Sequence, residues 1–156
     1  MRMDVTRNRL ILLATLGSVG LLGGAFAFQY IGGLAPCKLC LTARWPHAAA
    51  ILIGVFALTL GWRFLPWLGA VAAAATSAVG IYHTGIERHW WQGPATCSSG
   101  PIDKLDAGAL LDQILAAPIV RCDEVAWSLG GISMASWNAI LSAVLVLIWI
   151  WAARRA

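Results

Sequence analysis

Four cysteines carry the chemistry in this 156-residue chain: Cys37 and Cys40, separated by Lys38 and Leu39, and the more distant Cys97 and Cys122. Two thiols at i and i+3 can close a small disulfide ring. In a C-x-x-C motif a helix N-terminus favours the thiolate, bringing its pKa from about 8.5 into roughly the 3.5–7.5 range. Pro46 suits the first turn of a helix, so the pair is expected just ahead of a helix N-terminus, with Lys38 and Arg44 adding positive charge. Cys97 lies among Gly93, Pro94, Ser98, Ser99, Gly100 and Pro101, a loop composition in which another protein's thiolate can reach it. Cysteine arithmetic leaves three uses open: redox exchange, two structural staples, or a zinc site. The missing second C-x-x-C argues against zinc, and no metal is expected.

The elements that position these thiols are membrane helices. The chain is 60% hydrophobic and 12% charged, with a mean hydropathy of +0.75. Soluble domains carry about 25% charged residues, so lipid is the expected solvent. Residues 10–37, 45–62, 64–86 and 125–153 hold no Asp, Glu, Lys or Arg. A bilayer core needs roughly 20 apolar helical residues, and an open strand edge in lipid leaves backbone groups unpaired. The expectation is an all-α membrane protein in one domain, residues 1–156, with spans at about 10–30, 46–61, 64–82 and 136–152. The loops are then about 31–45 and 83–135. The longer one is expected to carry a short amphipathic helix over Leu105–Ala117, lying on the membrane surface. Arg2, Arg7 and Arg9 with Ala25–Phe26–Ala27 resemble a cleavable leader, but the apolar run continues through Tyr30 and Ile31, so a retained span is expected.

Charge orients the bundle. Four spans put both ends of the chain and the 61–63 turn on one side, with Arg2, Arg7, Arg9, Arg63, Arg154 and Arg155 and one acid, Asp4. The positive-inside rule makes that side cytoplasmic. The long loop holds Glu87, Asp103, Asp106, Asp112, Asp123 and Glu124 and faces outward. All four cysteines therefore fall on the outer side, where disulfides persist in a bacterium. The nine tryptophans fall mostly near span ends, as interface anchors do. The few cations flank apolar runs, which excludes a nucleic-acid footprint.

Pro36–Cys37–Lys38–Leu39–Cys40 after the first span, Arg44 four residues later, Tyr82–His83 leaving the third span, Pro94–Ala95–Thr96–Cys97, and Cys122 followed by Trp127 resemble the disulfide bond formation protein B (DsbB) family. The likeness covers nearly the whole chain. It implies a bacterial inner-membrane enzyme that reoxidises a periplasmic thioredoxin-like dithiol oxidase (DsbA-like) and passes the electrons to a quinone, ubiquinone or menaquinone. By motif, Cys97 takes the partner's thiolate and Cys122 is the other half of the loop disulfide. Cys37 and Cys40 reoxidise that pair through a Cys40–Cys97 inter-loop stage, and Cys40 contacts the quinone. Such a partner lies near −120 mV, against below about −300 mV for ordinary structural disulfides, a gap of roughly 8 kcal/mol for two electrons. An acceptor stronger than the partner is needed, and a quinone can be one.

In the same resemblance Arg44 sits beside the quinone, where it can hydrogen-bond a carbonyl; the alternative is an arginine snorkelling to headgroups. Pro46 disfavours the α region at Trp45, which leaves the turn between Cys40 and Arg44 open. His83 is a second candidate contact, weighed against a plain interfacial histidine; His47 and His89 are weaker ones. Glu87 and Arg88 read as a solvated loop start. Vitamin K epoxide reductases share a C-x-x-C and a quinone but place the loop pair earlier in the chain. Outside the enzymes, the competitor is a non-catalytic membrane protein stapled by two disulfides.

Overall fold

The structure, a computed structural model, describes residues 5–94, 97, 108, 111, 112, 115 and 120–155. It is an all-α bundle of four long helices: α1 (Val5–Tyr30), α2 (Lys38–Leu60), α3 (Leu65–Glu87) and α4 (Met134–Arg154). Each is long and apolar enough to cross a membrane. They extend beyond the charge-free runs because a helix continues through its polar interfacial turns, where side chains reach water while the backbone stays paired.

The largest extension corrects the start of the second helix. Pro46 lies inside α2 rather than in its first turn, and the helix begins at Lys38 with Cys37 as its N-cap. The stretch from Cys40 through Arg44 is therefore helical, despite the bias that Pro46 places on Trp45. Pro46 has no N–H for the Thr42 carbonyl, and Thr42 lies exposed near the outer end of α2, where that loss is tolerable.

Just before α4, Ser128–Leu129 (β1) and Ile132–Ser133 (β2) form a two-residue antiparallel hairpin. Its turn is Gly130–Gly131, with φ of 63° and 77°. Paired positive φ values make a hairpin turn that glycine adopts without strain. The Leu105–Ala117 helix falls largely outside the described residues; Gly108, Leu111, Asp112 and Leu115 within it are helical and exposed.

α3 is the most buried helix. Small residues face its neighbours, including Gly69, Ala73, Thr76, Ser77 and Gly80. Lipid tails are as apolar as leucine, so association rests on close packing and interhelical hydrogen bonds. Ser77 Oγ donates to the Ala139 carbonyl at 2.9 Å. A Cβ on Gly80 would lie 2.9 Å from the Ala139 amide nitrogen and 3.0 Å from its Cα, backbone atoms that cannot turn aside. Gly80→Val is expected to cost about 1–3 kcal/mol by overpacking, read as a lower unfolding midpoint in micelles. A variant as stable as the parent would contradict this approach of α3 and α4.

At one end of the bundle, Arg7 of α1 is buried and its Nη2 donates to the Trp62 carbonyl in the α2–α3 turn at 3.0 Å. The two cysteine pairs and the hairpin lie at the opposite end, reached by the α1–α2 connection, the end of α3 and the start of α4.

Candidate active site

The site begins with the cap of α2. Cys37 has extended backbone angles, and its Sγ accepts the Cys40 amide N–H at 3.3 Å. The cap therefore places the first thiol at the positive end of the helix and the second within the first turn. The two sulfurs are 2.9 Å apart as a dithiol. The Cys37 thiol is lowered from 9.0 to about 7. The hydrogen bond from the Cys40 thiol is the main cause, aided by the Cys40 and Leu39 amides and opposed by burial and the Glu87 carboxylate.

The thiolate thus forms above about pH 7 and is lost below it. In the dithiol form, thiolate absorbance assigned to Cys37 is expected to rise with a midpoint near pH 7. Cys40→Ala removes the principal donor and moves that midpoint upward. An unmoved midpoint would show that the cap, not the neighbouring thiol, sets it.

The second pair is a disulfide, Cys97–Cys122, with Cα atoms 5.1 Å apart. Both cysteines are fully buried, packed with Cys37 and Ile86. This differs from the exposed Cys97 that the loop composition suggested. The disulfide draws Cys97 against the apolar end of α3.

His83 stands between the pairs. It projects from the last turns of α3, with Nε2 3.7 Å from Cys37 Sγ and 3.9 Å from Glu87 Oε1. The donor atoms of Cys37, His83 and Cys122 all lie within 4.8 Å of one another. Across the two pairs, the structure brings Cys37 beside Cys122, and Cys40 packs against the same cluster that holds Cys97. The trio is not a metal site while Cys122 is held in its disulfide.

Glu87 is no solvated loop residue. It is nearly buried and accepts the Ser133 hydroxyl, and Ser133 in turn caps α4 by accepting the Ser136 amide N–H at 3.2 Å. Its spacing of four from His83 puts the two on one face of a helix, a signal present in the sequence.

Cys40, packed against the same cysteine cluster, also lines an apolar cavity of about 220 Å³ between α1, α2, α3 and α4. Leu21, Ala25, Phe28, Val79, Leu141 and Trp127 are among its apolar lining, and His83, His47 and Asn138 supply polar edges. An apolar cavity of about 150 Å³ takes benzene, so this one has room for a substituted six-membered ring. Trp127 packs against Phe28 with ring centroids 4.8 Å apart. Asn138 was missed in the sequence; its signal is a single amide within an otherwise apolar fourth run.

Arg44 follows Cys40 by one turn, yet its guanidinium turns to α1. It donates to Gln29 Oε1 at 2.7 Å and to the Ala25 carbonyl at 3.4 Å, and stacks over Phe26. It lies behind the Ala25 wall rather than among the lining residues. His89 is exposed at the end of α3.

A helix-capped dithiol, a neighbouring disulfide and an apolar cavity at the end of a four-helix membrane bundle define a membrane thiol–disulfide oxidoreductase. The comparisons give it a family. The profile of "Disulfide bond formation protein DsbB" matches residues 7–152, and the chain belongs to that family. The disulfide bond formation protein B of Verminephrobacter eiseniae is 30% identical over 160 residues, covering 93% of this chain and 85% of the relative. Disulfide bond formation protein B 2 of Pseudomonas aeruginosa is 31% identical over 142 residues, covering 86% and 83%. A Rickettsia prowazekii protein, RP370, is 28% identical over 143 residues, covering 88% and 81%. No solved structure gives a significant match.

Proposed function

We propose that this chain reoxidises a DsbA-like periplasmic dithiol oxidase and delivers the electrons to a membrane quinone. The observation that carries this is the placement of one dithiol between two neighbours: Cys37 beside the Cys97–Cys122 disulfide, and Cys40 beside the apolar cavity. The positive-inside distribution puts the chain ends in the cytoplasm and the cysteines in the periplasm.

The steps balance as successive exchanges. A partner thiolate attacks Cys97, breaking its bond to Cys122, and the partner's second thiol closes the partner disulfide and releases Cys97 as a thiol. Cys122 as thiolate attacks Cys37 of the inner disulfide, and Cys40 leaves. Cys97 then attacks Cys122, restoring the loop disulfide and freeing Cys37. The result is an inner dithiol beside a closed loop disulfide, the pairing drawn by Cys97–Cys122 and the free Cys37 and Cys40. The proximity of Cys37 and Cys122 supports an inter-loop bond between them, beside the Cys40–Cys97 bond that the resemblance implies.

A quinone held in the cavity would supply a two-electron, two-proton acceptor for the Cys37–Cys40 dithiol. The lining fits such a ring: an apolar wall, Cys40 at one edge, and polar groups at others. The Glu87 carboxylate, with His83 between it and the thiols, is placed to take a proton released on oxidation. Arg44 holds the α1 wall of the cavity through Gln29 and the Ala25 carbonyl.

The test is quinone reduction by the purified protein with a reduced thioredoxin-like partner, with thiol trapping in parallel. Prompt appearance and disappearance of thiols at all four cysteines is expected. Bridges that stay closed on adding the reduced partner would leave two structural staples in place of a relay.

A further inference from the structure

Cys37, His83 and Cys122 come from three separate stretches of chain: the cap of α2, the last turns of α3 and the long outer loop. Their donor atoms nevertheless lie within 4.8 Å of one another. Zinc bonds thiolate sulfur at about 2.3 Å and imidazole nitrogen at about 2.0–2.1 Å, so neighbouring ligands on its tetrahedron stand roughly 3.5–3.8 Å apart. Cys37 Sγ and His83 Nε2 are 3.7 Å apart. Cys40 Sγ, 2.9 Å from Cys37 Sγ, stands beside the group as a fourth donor. The Glu87 carboxylate, 3.9 Å from His83 Nε2, adds negative charge next to a cation held there. Three cysteines with one histidine make a common zinc set. Spacing along the chain argued against zinc because a second C-x-x-C is missing; the fold brings the further ligands from α3 and the loop.

One sulfur decides whether the group can bind. A metal takes thiolates, and Cys122 has none to give while it is joined to Cys97. Reduction frees it. The Cys122 amide N–H donates to the Cys97 carbonyl at 2.6 Å, and both residues pack with Cys37 and Ile86. Neither contact depends on the S–S bond, so Cys122 stays beside Cys37 when that bond opens. We propose that Cys37, His83 and Cys122, joined by Cys40, form a zinc site that exists only while the loop disulfide is open. Each bound thiol gives its proton to solvent as the ion enters, and no electrons move. The ion withholds Cys37 and Cys122 from exchange, so zinc stalls the protein in its reduced state. The proposal needs an open loop disulfide and does not rest on the quinone.

The experiment uses the full chain in micelles without oxygen, with cobalt(II) as a coloured stand-in for zinc. Protein reduced to its four thiols with a phosphine is expected to show tetrahedral cobalt–thiolate absorption that saturates at one ion per chain and is bleached by zinc. Loss of an outer partner alone costs a metal site 10–100-fold, so loss of a ligand is expected to cost roughly 100-fold or more. That weakening is expected for the parent with its loop disulfide closed, and for reduced Cys122→Ser and His83→Ala. Cys97→Ser removes the disulfide but no ligand, and is expected to match the reduced parent. In the reduced parent, zinc is also expected to slow alkylation of Cys37 and Cys122, a reading that needs no variant. Absence of the cobalt band, or alkylation that zinc leaves unchanged, overturns the proposal. Equal affinity in the open and closed forms, or in the parent and both ligand variants, places the ion on Cys37 and Cys40 alone and overturns it as well. Quinone reduction is not read, so failure here leaves the proposed function standing.

Discussion

Cys40→Ser is expected to stop quinone reduction, lowering turnover on the order of 10³-fold or more, because the step has no substitute group. Serine nearly matches the size of the thiol, so the helix cap and the cavity wall survive. Without Cys40 there is no inner disulfide for Cys122 to attack. A reduced partner can then open Cys97–Cys122 once, and the loop dithiol has nowhere to send its electrons. Two readings on one sample check this: quinone absorbance flat after partner is added, and trapping that finds Cys97 and Cys122 as persistent thiols. Cys37→Ser is expected to block at the same stage, since it removes the sulfur that lies beside Cys122. Full turnover by the Cys40→Ser protein would defeat the relay.

The largest stability effect is expected at the opposite end of the bundle. Trp149 is fully buried among Ile11, Leu65, Ala70, Ala73, Leu145 and Ala152. Its ring lies so close over Gly69 that a Cβ there would come within 2.6 Å of the indole. Trp149→Ala leaves a cavity at the meeting of three helices and is expected to cost about 3 kcal/mol or more. In a membrane the term that survives is lost packing, because lipid offers no hydrophobic drive between helices. The indole N–H has no hydrogen-bond partner among the described residues, so Trp149→Phe, which keeps a ring and drops that group, is expected to cost much less. Unfolding midpoints in mixed micelles measure both. Equal losses in the two variants would mean that the indole nitrogen, not ring volume, matters there.

Trp149 also marks a limit of composition. Its position near the end of the last apolar run suggests an interface anchor, and Trp45, Trp62, Trp67, Trp90, Trp91 and Trp151 are indeed exposed. Trp127 and Trp137, however, line the cavity. The helices are apolar nearly all round, so periodicity does not say which face looks inward. The same ambiguity hid the direction of Arg44 and the membership of Asn138 in the site. Pro46 misled in another way: a rule about first turns placed the helix start there, whereas the Cys37 cap places it at Lys38.

By itself the sequence determined the four apolar spans and the gathering of every cysteine at one end. Those follow from sums of local terms, the transfer of each side chain into lipid, which do not depend on how helices pack. Only the tertiary structure decided that Cys37 meets Cys122, that Cys40 opens onto a cavity, that Glu87 joins His83, and that Asn138 pairs with His47. Those are contacts between residues distant in the chain, and they arise from the rotation of each helix about its axis, which small side chains such as Gly80 and Gly69 select through close packing.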